Sequence, residues 1–113
     1  MGLVDEAIVS YDKVIELDAE NEDIWLDKAE VVKDCENIEN GILVLYEGLE
    51  KQPDNYLIYT RLVPYLLIKG KVEEACQNLI IMLTHNKLLL ADLTEYYPEI
   101  MNFPKIIDII ETF

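Results

Sequence analysis

Four carboxylates crowd the early chain, Asp18, Glu20, Glu22 and Asp23, with Glu16 leading in. Carboxylates at alternating positions are the donor set of a calcium loop. Such a loop also needs a glycine at its sixth position and a bidentate glutamate at its twelfth. Counted from Asp18, the sixth residue is Asp23 and the twelfth is Ala29, which cannot ligate. The stretch therefore reads as a solvated turn, with Asn21 to Asp23 capping the helix that follows. No metal is expected there.

The remaining reactive side chains form no constellation. His85, the single histidine, lies between Thr84 and Asn86 at an expected helix end, where an imidazole commonly meets the helix dipole. Cys35 and Cys76 are neither in a C-x-x-C pair nor close in sequence to His85. They read as two buried, reduced thiols. Carboxylate pairs are so common in the first half that none stands out as acid and base, and the glycines make no phosphate loop. No catalytic residue, no cofactor and no enzymatic activity are expected.

The elements that carry these residues follow from composition. With 113 residues, 51% of them apolar, the chain suits one compact domain with a hydrophobic core. Four glycines and four prolines, beside abundant Leu, Ile, Glu and Lys, favour helices. Net charge is −14 and uneven. Residues 1–55 hold 16 acidic and 4 basic side chains, whereas residues 56–113 hold 7 and 5. A nucleic-acid partner requires cations that displace counterions from phosphates, so that class is excluded, and an anionic membrane surface would repel the chain. Basic partners would be attracted, less so as salt rises. No apolar run approaches the roughly 18 residues of a membrane helix, and the N-terminus lacks a secretion signal. A cytoplasmic setting is the expectation.

At an offset of 34 residues the sequence matches itself. Ala7 falls on Gly41 and Ala75, Tyr11 on Leu45 and Leu79, Trp25 on Tyr59, and "LDAEN" at 17–21 on "KQPDN" at 51–55. Within each unit the apolar residues recur at i, i+3 and i+4, the mark of one buried helix face. Ala7, Ile8, Tyr11, Val14, Ile15 and Leu17 form the first stripe. Trp25, Ala29, Val32 and Cys35 form another, as do Ile42, Leu45 and Leu49. Tyr59, Leu62, Val63 and Leu66 follow, then Ala75, Leu79, Met82 and Leu83. Each full unit is thus two antiparallel helices. Pro53, Asp54 and Asn55 end one and begin the next.

This pattern resembles the tetratricopeptide repeat family, whose signature is W-x2-L-G-x2-Y, then A-x3-F, then P. The second unit supplies Trp25, Ala29, Val32, Gly41, Leu45 and Pro53, and the third supplies Tyr59, Leu62, Leu66, Ala75 and Leu79. The resemblance covers roughly residues 2 to 87, about two and a half repeats. Lys28, Glu36 and Met82 depart from it, and Pro64 inside the third unit should kink or break its helix. The implied fold class is all-α, antiparallel helix pairs stacked as a right-handed α-solenoid. One domain then spans 1–113: a partial repeat at 1–21, repeats at 22–55 and 56–87, and capping helices at 88–113. The cap should hold helices near Leu88–Tyr97 and Pro104–Glu111 and bury Leu89, Leu93, Tyr96, Ile106, Ile109 and Ile110.

The resemblance also implies a scaffold role, with the first helix of each pair lining a concave groove that holds a protein or peptide segment. The groove-facing positions are Asp23, Leu26, Asp27, Glu30 and Asp34, then Leu57, Thr60, Arg61, Pro64 and Ile68. The family's lysine and asparagine clamp for acidic chaperone tails is absent, since Leu26 and Glu30 stand at matching positions. The expected ligand is instead basic or amphipathic. The alternative is an architectural or self-association module, with a homodimer formed through the uncapped N-terminal helix.

Overall fold

The computed structural model describes residues 23–113 together with Ile8 and Val9, which are helical. The turn at 17–22 and nearly all of the partial repeat at 1–21 lie outside the described residues. Among the described residues the fold is all-helical, with no strand. The chain divides into two compact units, Met1–Ile58 and Tyr59–Phe113, close to the boundary between the second and third sequence repeats.

In the first unit, α1 (Asp23–Cys35) packs against α2 (Ile38–Lys51) across a two-residue connection. Asn37 begins α2, its Oδ1 accepting from the Asn40 N–H at 2.8 Å and so satisfying one of the orphan amides of the first turn. The packed face is the periodic one. Trp25, Ala29, Val32, Ile42 and Leu45 are buried, and each large apolar side chain so enclosed contributes roughly 1.5–3 kcal/mol. Gly48 permits the closest approach: a Cβ there would lie 2.9 Å from both Trp25 Cδ2 and Ile58 Cδ1. Lys28 is half-buried, and its ammonium lies 5.9 Å from the Trp25 ring centroid. Cys35 departs from expectation. It is exposed, because α1 ends there and the stripe has no further turn to cover it.

After α2, Pro53 sits in the turn, but Asn55 does not cap a helix with its side chain. It is buried, and its Nδ2 donates to Gln52 Oε1 at 2.8 Å. A 3-10 turn at Tyr56–Ile58 intervenes.

The second unit begins with α3 (Tyr59–Ile68), packed on α4 (Val72–His85) and on α5 (Leu89–Tyr96). Pro64 does not break α3, which runs through it. The ring removes the amide that would reach the Thr60 carbonyl, at a cost of about 3 kcal/mol. Burial of Leu62, Val63, Tyr65 and Leu66, each fully enclosed, offsets that loss. Gly70 ends α3 in the left-handed region at φ +87°, and the Lys71 N–H donates to the Leu66 carbonyl at 2.8 Å while the Gly70 N–H donates to that of Leu67 at 3.0 Å. This is the Schellman arrangement, in which glycine carries no Cβ penalty.

The tail follows the expected helices closely. After α5, a 3-10 turn at Pro98–Asn102 leads into α6 (Pro104–Thr112), with proline in its first turn. Leu89, Leu93 and Ile106 are buried; Tyr96, Ile109 and Ile110 are half-buried. α6 also meets α4, where exposed Lys105 donates to Glu73, a contact that holds the ammonium pKa above its ordinary value.

Candidate functional site

The ten positions expected to line a groove do not share one environment. On α1, Asp23, Asp27 and Asp34 are exposed and Leu26 and Glu30 half-buried, opposite the stripe that faces α2. Acidic residues near a helix N-terminus meet the positive end of its dipole, which favours Asp23 in the first turn of α1. Further along, Lys33 lies 3.5 Å from Glu30 and 3.3 Å from Asp34. These pairs are partly open to water, and a single ammonium offsets the local charge only in part. The face stays acidic.

The positions around α3 differ. Thr60 and Pro64 are buried, so neither is available to a partner at the surface. The reason lies in α3 itself: from Tyr59 to Leu67 only Arg61 escapes burial, and a helix apolar on nearly every side cannot also present a broad outer face. Leu57 is half-buried in the 3-10 turn, and Ile68 is 54% exposed at the helix end. Arg61 is half-buried, its guanidinium 3.6 Å from the ring centroid of Tyr96 on α5 and one nitrogen 3.5 Å from Thr60 Oγ1. The aromatic face holds this cation against the neighbouring helix.

Residue spacing missed this stack, because nothing in a 34-residue offset pairs position 61 with position 96. It missed Gly48 as well, which stands one helical turn beyond the matched Leu45. His85 is exposed at the last residue of α4, as its neighbours suggest. Cys76 is buried, and removal from water, with Glu73 nearby, pushes its thiol pKa up. A thiol so placed is a poor nucleophile. Among the described residues no group of three or more His, Cys, Asp or Glu could hold a metal ion, and no helix is long and apolar enough to cross a membrane. Protein-family models, curated proteins and solved structures were compared with the chain, and none matches.

Proposed function

We propose that this chain is a protein-interaction scaffold of the tetratricopeptide-repeat kind, its antiparallel helix pairs stacked as a right-handed solenoid. Its ligand is a basic or amphipathic segment bound on the first helix of each pair. The observation that carries the reading is the outer face of α1, where Asp23, Asp27 and Asp34 are exposed while Trp25, Ala29 and Val32 are committed to α2. The packing of α3 on both α4 and α5 supports it, since stacked repeats bury each first helix between its own partner and the next unit. Arg61 and Ile68 are what α3 offers a ligand, an apolar edge beside a cation already held by Tyr96.

Calorimetry with lysine-rich amphipathic peptides tests the reading. Saturable binding that weakens as salt rises is expected, because exposed charges are screened. Binding that is absent or indifferent to salt overturns it. One observation favours the architectural alternative: Val9 is 52% exposed and Leu43 64% exposed in the first unit. A sedimentation coefficient that rises with protein concentration would support that alternative.

A further inference from the structure

We draw no further inference here: the strongest candidate, the open apolar depression of the second unit lined by Leu88, Ala91, Met101 and Ile110, carries nothing, because Lys87 at its edge is already engaged by the Phe113 carbonyl and ring and nothing in the structure shows what covers it.

Discussion

Gly48 shows how one hydrogen atom sets the spacing of a helix pair. Alanine is the better helix former by about 1 kcal/mol, yet its Cβ would press on the Trp25 ring, which cannot fold away. Overpacking of this sort costs typically 1–3 kcal/mol, so the crowding wins. Gly48→Ala is expected to lower stability by about 1 kcal/mol net, read as a fall in the urea midpoint with an unchanged slope. The two cysteines separate by burial rather than by type. Alkylation of the native chain followed by mass spectrometry should label Cys35 readily and Cys76 only on unfolding. The Cys76 thiol pKa is raised in the folded chain, so the unfolded chain ionises first as pH climbs. The stability it contributes is complete below the ordinary thiol value of 9.0 and is lost as pH rises above it, which urea melts from pH 8 to 10 would show.

Each helix end has a physical stop that the letters announce to different degrees. Asn37→Ala removes the acceptor for the Asn40 amide and is expected to cost about 1 kcal/mol, with Asn37→Asp largely restoring it. Gly70→Ala meets no neighbour within 4 Å, so its cost of about 1 kcal/mol comes from the backbone alone. Thermal melts of both variants check these values. The helices of the tail were legible from Pro104 and from apolar spacing, and the stripes on α1 to α4 from the 34-residue offset. Pro64 does not break α3, because its local cost, visible in the sequence, is outweighed by burial that the sequence does not display. Among the positions expected to line a groove, the exposure of the acidic ones on α1 was legible because charge at helical spacing stays in water. Thr60 and Pro64 were not, since their burial depends on α4 and α5 enclosing α3, a fact of packing rather than of period.

At the scale of the whole chain, charge is the feature most directly tied to partners. In the proposed scaffold, the 16 acidic and 4 basic side chains of residues 1–55 supply the field that steers basic segments, and contact on α1 supplies specificity. Exposed ion pairs contribute roughly 0.2–1 kcal/mol each, so three carboxylates acting together decide about a tenfold difference in affinity. The most direct test is calorimetric titration of a lysine-rich amphipathic peptide into the wild-type chain and into a variant carrying Asp23→Asn, Asp27→Asn and Asp34→Asn. A loss of about tenfold in the variant, with a shallower dependence on salt, is the predicted result. Equal affinity and equal salt dependence in the two proteins would contradict the account.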